Sequence, residues 1–233
     1  FAEAIIKIVT ARDKAMPKRM SDAEALISFQ LKLRERGIFD HALLKAFEQI
    51  PRSDYLDDRF SEMAAEDISL PLPCGQTQPA PSSLARMIKA LDVGSGDRVL
   101  EIGTGSGYGT ALIARLALSV TTLERYRILA DAAKKRLAHP SLGTIAVWHA
   151  DGTHGYPEEA PYDRIILHAA IESEPALLID QLTPGGAVVA VLRVGQVSEI
   201  TRWRRAITGR VLEIDHFGRL DLPKLASGLS EAL

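Results

Sequence analysis

Val99-Leu-Glu-Ile-Gly-Thr-Gly-Ser-Gly-Tyr108 is an apolar strand that runs straight into a glycine-rich turn, and its reading decides the fold. Gly103, Gly105 and Gly107 let the backbone turn tightly and approach a ligand that side chains would hold off. Tyr108 to Ala117 then reads as a helix. Strand, glycine turn and helix in this order mark a nucleotide-type cofactor site.

Outward from this stretch, helix and strand patterns alternate. A helix from Ser82 to Leu91 and the turn Gly94-Ser-Gly-Asp97 precede the strand Arg98 to Ile102. After the glycine helix come a strand Ser119 to Leu123, a helix Arg127 to Ala138, strands Thr144 to His149 and Tyr162 to His168, a helix near Pro175 to Gln181, and a strand Gly186 to Leu192. Such alternation predicts an α/β fold with a doubly wound, mostly parallel, Rossmann-like sheet and ligands at the carboxyl ends of the strands. Upstream, Ala25, Leu26, Phe29 and Leu33, then Ala42, Leu43, Ala46, Phe47 and Ile50, recur at helical spacing about Gly37 and before Pro51, which predicts an N-terminal helical extension. Between the two parts, Asp67 to Pro81 carries four prolines and a glycine among its residues, so an irregular loop is expected.

Composition sets the class. The chain has 233 residues, 46% hydrophobic and 25% charged, the balance of an ordinary globular protein. A net charge of −2 offers no general basic surface for nucleic acid, and Arg202, Arg204, Arg205 and Arg210 read as a solvated face. No apolar run approaches the ~20 residues that span a bilayer, and Ala4 to Val9 is broken by Lys7 and lacks a small-residue cleavage site. Cys74 is the sole cysteine, which excludes an internal disulfide and fits a reducing compartment. A cytoplasmic location without membrane or nucleic-acid partners is expected, and no His/Cys spacing supports a metal. Phe1 points to a missing initiator or an upstream addition, with Met16 and Met20 as alternative starts.

The strand ends converge on one cofactor. Tyr108 stands where the dinucleotide pattern G-x-G-x-x-G needs its third glycine, so the turn, with Glu101 just before it, is closer to an S-adenosylmethionine site than to an NAD site. Glu124 closes the second strand, 21 residues after Gly103, where a carboxylate can accept from two ribose hydroxyls. Asp151-Gly152 closes the third, where a carboxylate can accept from the adenine amine and the glycine leaves room for the ring. Trp148 and Tyr162 read as packing residues.

Six segments together resemble the protein-L-isoaspartate O-methyltransferase family: Arg34 to Asp58, Asp67 to Thr77 ("DISLPLPCGQT"), Asp97 to Leu116, Leu123 to Leu137, Asp151 to Ala170 and Leu178 to Leu192. The glycine run is shared by many methyltransferases, whereas the helical lead-in and the GQT loop are particular to this family. The resemblance implies an enzyme that methylates the abnormal isoaspartyl carboxylate of damaged proteins, with S-adenosylmethionine as donor and S-adenosylhomocysteine as product. With the pattern along the chain, it gives a helical lead-in and acceptor loop, 1–81, and a cofactor-binding methyltransferase domain, 82–233. The cofactor set is then Gln76 and Thr77 from the loop, Glu101, Gly103, Thr104, Gly105, Ser106 and Gly107 at the turn, Glu124 and Arg125 after the second strand, and Asp151 and Gly152 after the third.

Two departures fall on the acceptor side. The family loop reads G-Q-T-I-S-x-P, its serine lying beside the methyl-accepting carboxylate, whereas here Gln78 and Pro79 follow Thr77. Proline has neither hydroxyl nor amide hydrogen, which leaves Thr77, Ser82 and Ser83 as nearby hydroxyls. The family's C-terminal substrate strand has only a loose counterpart in Arg219-Leu-Asp-Leu-Pro223. His168 ends the fourth strand where a small hydroxyl residue is the family norm. Thr77 and His168 are the candidate catalytic residues. A different methyl acceptor, signalled by Pro79 and His168, and a non-catalytic cofactor-binding homologue stay open as alternatives; oligomeric state is not legible.

Overall fold

The computed structural model describes residues 22–208 and 212–230. The segment containing Ala4 to Val9, Met16 and Met20, and also Arg210, lies outside them.

Two helices lead in, α1 (Asp22–Glu35) and α2 (His41–Gln49). Asp40 caps α2, its side chain accepting the Leu43 N–H at 2.7 Å, which satisfies one of the amides a helix start leaves unpaired. The apolar faces of these helices join the main core: Phe29, Leu33, Leu43 and Phe47 form one cluster with Leu84, Tyr108, Leu112 and Val189. Phe47 and Tyr55 pack their rings against Tyr108, centroids 6.1 and 5.5 Å away. The extension is therefore packed directly on the helix that follows the glycine turn.

The proline-rich stretch departs from the expected loop. It folds into a small antiparallel hairpin of β1 (Leu70–Pro71) and β2 (Thr77–Gln78), paired Leu70 to Gln78 and Pro71 to Thr77. Cys74 and Gly75 both take positive φ, 59° and 66°, and turn the chain. The Leu72 N–H then reaches the Gln76 carbonyl at 2.8 Å. The prolines are tolerated because a two-residue ladder asks for few amide donors.

From here the wound domain unrolls as α3 (Pro81–Leu91), β3 (Arg98–Ile102), α4 (Tyr108–Ala114), β4 (Ser119–Glu124), α5 (Arg127–Leu137), β5 (Thr144–His149), β6 (Tyr162–Ile171), α6 (Ala176–Ile179), β7 (Leu182–Val194), β8 (Val197–Arg205) and β9 (Leu212–Arg219). The sheet order is β5-β4-β3-β6-β7-β8-β9. β3 to β7 are parallel, while β8 and β9 are added as an antiparallel meander. Central strands are buried on both faces: Leu100, Ile165, Ile166, Leu167 and Val188 to Val191 have no exposed surface, as continuous apolar strands covered on both sides should.

β8 and β9 were not expected. Polar residues disguise β8: Ile200, Thr201 and Trp203 are buried, but Arg202 and Arg204 flank the tryptophan. The supposed solvated face is engaged. Arg202 pairs with Asp215 at 2.7 Å and donates to the Ala90 carbonyl, Arg205 donates to the Leu182 carbonyl at 2.6 Å, and Arg204 lies 3.5 Å from Glu213.

Because the chain leaves β3 toward β4 on one side and returns to β6 on the other, the sheet has a switch point above β3. Crevices of open α/β sheets form at this place.

Candidate active site

A cleft of about 370 Å³ opens there, between the carboxyl ends of β3, β4 and β6, the β1–β2 hairpin and the segment after β9. Its floor is the glycine turn. Gly103 and Gly105 take φ of +96° and +55°, conformations that L side chains rarely adopt. Gly107 shares the positive φ, +88°, and serves packing as well: a Cβ there would sit 3.2 Å from the Leu137 side chain of α5. Gly109, which sequence reasoning passed over, leaves room for two functional side chains, since a Cβ would fall 3.0 Å from Glu101 and 3.2 Å from His168.

Glu124 turns back toward the glycine turn. Its Oε2 accepts the Gly105 N–H at 2.8 Å and its Oε1 the Tyr126 N–H at 3.0 Å. The residue is only 5% exposed yet lines the cleft. Burial pushes its carboxyl above the usual range, while the amides of Tyr126, Gly105 and Arg125 oppose that rise. Each carboxylate oxygen has two acceptor sites, so these amides still leave acceptor capacity on a residue that lines the cleft.

The other acidic residues behave differently. Glu101 is fully buried and does not line the cleft. Its Oε2 accepts from Thr110 and, at 2.7 Å, from Thr122, whose own oxygen lies 2.6 Å from the Thr104 hydroxyl; its Oε1 is 2.9 Å from His168 Nε2. Glu101 thus organises the turn from behind and fixes the imidazole. His168 lines the cleft, and its Nδ1 is buried without a protein partner among the described residues. Asp151 is also outside the cleft wall. Its Oδ1 accepts from the Thr153 amide and hydroxyl, and its Oδ2 takes the Gly228 N–H at 2.7 Å. Burial would raise its carboxyl, but the Thr153 and Gly228 donors outweigh that and hold it below the usual range.

The structure brings Gln76, Thr77, Gly103, Thr104, Gly105, Ser106, Glu124, Arg125, Gly152 and His168 together in the cleft wall, and leaves Glu101, Gly107 and Asp151 behind it. Ser82 and Ser83, in the first turn of α3, do not line it. The segment after β9 contributes Asp221 to Ala226; the sequence pointed to its first half, Asp221 to Pro223, as a loose counterpart of the substrate strand, and missed Lys224 to Ala226. That segment is tied down by Arg125, which donates to the Ser227 and Gly228 carbonyls, and by the Ser230 N–H to the Arg125 carbonyl.

The hairpin is locked onto the glycine turn by a buried relay. Arg52 Nε donates to Gln78 Oε1 at 2.6 Å, and Gln78 Nε2 donates to Ser106 Oγ at 2.8 Å and to the Tyr55 carbonyl. The remaining guanidinium nitrogens donate to the carbonyls of Glu66, Ile68 and Pro79. Burial pulls Arg52 down to about 10, which leaves it charged at neutral pH.

A parallel switch point, a glycine turn and a carboxylate closing the neighbouring strand define a Rossmann-like nucleotide-cofactor site, and Tyr108 in place of the third dinucleotide glycine sets it with the S-adenosylmethionine-dependent methyltransferases rather than the NAD enzymes. The donor set suits that ligand. Glu124 offers acceptors for ribose hydroxyls, and Ile102, Leu123, Ala150 and Gly152 provide an apolar wall for a base. Comparison with known proteins narrows the class. The family model for protein-L-isoaspartate(D-aspartate) O-methyltransferase matches residues 22–215. A protein-L-isoaspartate O-methyltransferase of Azorhizobium caulinodans is 41% identical over 219 residues, covering 92% of this chain and all of the relative. One from a Ruegeria species is 41% identical over 213 residues, covering 90% and 97% of the two chains. Among solved structures, a Plasmodium falciparum chain described as a protein-L-isoaspartate O-methyltransferase, crystallised with S-adenosyl-L-homocysteine, shares the fold at a TM-score of 0.75 with 20% identity, covering 86% of this chain and 98% of that one. The chain belongs to the protein-L-isoaspartate(D-aspartate) O-methyltransferase family, whose members are S-adenosylmethionine-dependent enzymes.

Proposed function

We propose that this chain methylates the isoaspartyl carboxylate of damaged proteins at the cleft above β3. The observation that carries the reading is the placement of the GQT hairpin: it forms one wall of the same cleft whose floor is the glycine turn, and Gln78 couples the two. A peptide entering over the hairpin would present its carboxylate to the cofactor face.

When bound, S-adenosylmethionine supplies an electrophilic methyl group on a sulfonium sulfur. Glu124 accepts the ribose hydroxyls, and the Gly103 to Ser106 turn admits the ligand against bare backbone. Gly152 and the apolar wall receive the adenine, with Gln76, Thr77 and Arg125 closing the rim. An acceptor carboxylate with an ordinary pKa of roughly 4 is already ionised at neutral pH, so the chain need provide no general base. Its work is alignment, which can account for several powers of ten in rate. His168, its Nε2 anchored on Glu101, borders the acceptor region as a positioning group. The engaged arginines of β8 support a protein rather than a nucleic-acid acceptor, and the lone Cys74 supports a cytoplasmic setting. No helix among the described residues is long and apolar enough to cross a membrane.

The test is radiolabelled methyl transfer to an isoaspartyl peptide beside its aspartyl counterpart. Label on the former alone is expected; label on neither, with S-adenosylhomocysteine still bound, excludes the acceptor.

A further inference from the structure

We infer that Ser69 supplies the acceptor-binding hydroxyl that position 79 lacks, donating to the methyl-accepting carboxylate from the opposite arm of the hairpin. The inference rests on the isoaspartyl reading above.

Register carries it. With Leu70 paired to Gln78 and Pro71 to Thr77, the next step places Ser69 opposite Pro79. Residues directly opposite in an antiparallel pair project from the same face with Cβ atoms about 5 Å apart. A hydroxyl on Ser69 therefore stands within reach of the point that a hydroxyl on residue 79 would occupy. The Ala80 N–H donates to Ser69 Oγ at 3.2 Å, which pins the serine against this end of the loop. Both Ser69 and Pro79 line the cleft.

Chemistry agrees with the placement. Pro79 offers no donor, and its carbonyl is already taken by Arg52 at 3.3 Å. A serine hydroxyl has one proton and two acceptor sites. The bond accepted from Ala80 is the only one that Ser69 Oγ makes among the described residues, so its proton is left for a ligand. Other cleft hydroxyls are less suited: Ser106 is buried at 3% exposure with its Oγ accepting from both Gln78 and the Tyr108 N–H, Thr104 is bonded to Thr122, and Thr77 is exposed.

Four proteins test this, each assayed for methyl transfer to an isoaspartyl peptide at saturating S-adenosylmethionine: wild type, Ser69→Ala, Pro79→Ser and the double variant. Calorimetric affinity for S-adenosylhomocysteine reports the integrity of the fold and the cofactor site. Losing a donor to a charged acceptor should raise the acceptor KM of Ser69→Ala about tenfold or more, with S-adenosylhomocysteine affinity held within about twofold. Adding Pro79→Ser to Ser69→Ala should bring the acceptor KM back to within about threefold of wild type, while Pro79→Ser alone changes little, because one hydroxyl already serves. Ser69→Thr, which keeps the hydroxyl, should stay within about threefold of wild type and decides the matter if Pro79→Ser no longer binds S-adenosylhomocysteine. An unchanged acceptor KM in Ser69→Ala overturns the inference, as does equal improvement by Pro79→Ser in both backgrounds. Wild type that binds S-adenosylhomocysteine but methylates no isoaspartyl peptide overturns the acceptor reading, and this inference with it.

Discussion

Glu124 and Gly105 are joined by a 2.8 Å hydrogen bond from the glycine amide to Glu124 Oε2, so the end of β4 and the turn after β3 form one rigid unit. Glu124→Ala should therefore act twice, removing an acceptor for the ribose and releasing the turn. A loss of about 1.5 to 3 kcal/mol in S-adenosylhomocysteine affinity is expected, measurable by titration calorimetry. Tighter binding of NAD than of S-adenosylhomocysteine by the wild type would contradict the assignment of the site.

Acidification tests the same residue. Burial raises the Glu124 carboxyl above the ordinary glutamate range in the fold. A raised pKa means that the folded protein binds this proton more tightly than the unfolded chain. The carboxylate thus costs stability at neutral pH, and the cost is relieved as pH falls through the folded pKa. Ligand binding runs the other way, because protonation removes an acceptor. S-adenosylhomocysteine affinity should begin to fall at a pH above that at which an ordinary exposed glutamate titrates, and this early fall should vanish in Glu124→Gln, itself the weaker binder.

Gly105→Val should abolish cofactor binding while circular dichroism still reports a folded protein. The new side chain must adopt a φ near +55° and would meet Leu72 at 3.4 Å, on the cleft side of the turn. Unchanged affinity would reduce the glycine run to a chain reversal.

Arg52→Lys should destabilise the protein although charge is kept. A single ammonium cannot span Gln78 and the carbonyls of Glu66, Ile68 and Pro79 that the planar guanidinium bridges. Leaving buried acceptors unpaired costs about 1 to 3 kcal/mol each, so a fall of several degrees in Tm is expected, with a larger rise in acceptor KM than in S-adenosylmethionine KM. Equal changes in the two would place Arg52 outside hairpin control.

Gln78→Ile should be harmful even though the family loop carries isoleucine there. In this chain Gln78 is 3% exposed and links Arg52, Tyr55 and Ser106. Restoring both family residues at once, Gln78-Pro79 to Ile-Ser, confounds a gained hydroxyl with a broken relay, so Pro79→Ser alone is the informative change. Denaturation midpoints of Gln78→Ile and wild type that coincide would show the relay to be dispensable.

β3 and β5 are legible in the sequence to the residue, because each is a β-branched or apolar run bounded by turn chemistry, Gly94 to Asp97 before the first and Gly143 before the second. Glu124 is legible because spacing from the glycine turn is set by one strand-helix-strand unit. What sequence could not display is long-range pairing. Ser69 becomes relevant only through the register that sets it opposite Pro79, and the prolines that signalled a loop concealed that hairpin. Asp151 reads as a base reader from its place at a strand end, and what the sequence could not show is its tie to Gly228, far along the chain, whose N–H donates to its carboxylate. Glu101 looks like a ligand contact until Thr110, Thr122 and His168 converge on it from behind the turn. β8 is hidden because its polar face, Arg202 and Arg204, is paired to Asp215 and Glu213 of a strand that itself carries little apolar signal.

The most direct test of the whole account is methyl transfer by the wild-type chain from radiolabelled S-adenosylmethionine to a matched pair of peptides, one isoaspartyl and one aspartyl. Base-labile label on the isoaspartyl peptide alone is the expected result, as a carboxyl methyl ester requires. Label on neither peptide from a protein that binds S-adenosylhomocysteine, or equal label on both, would contradict it.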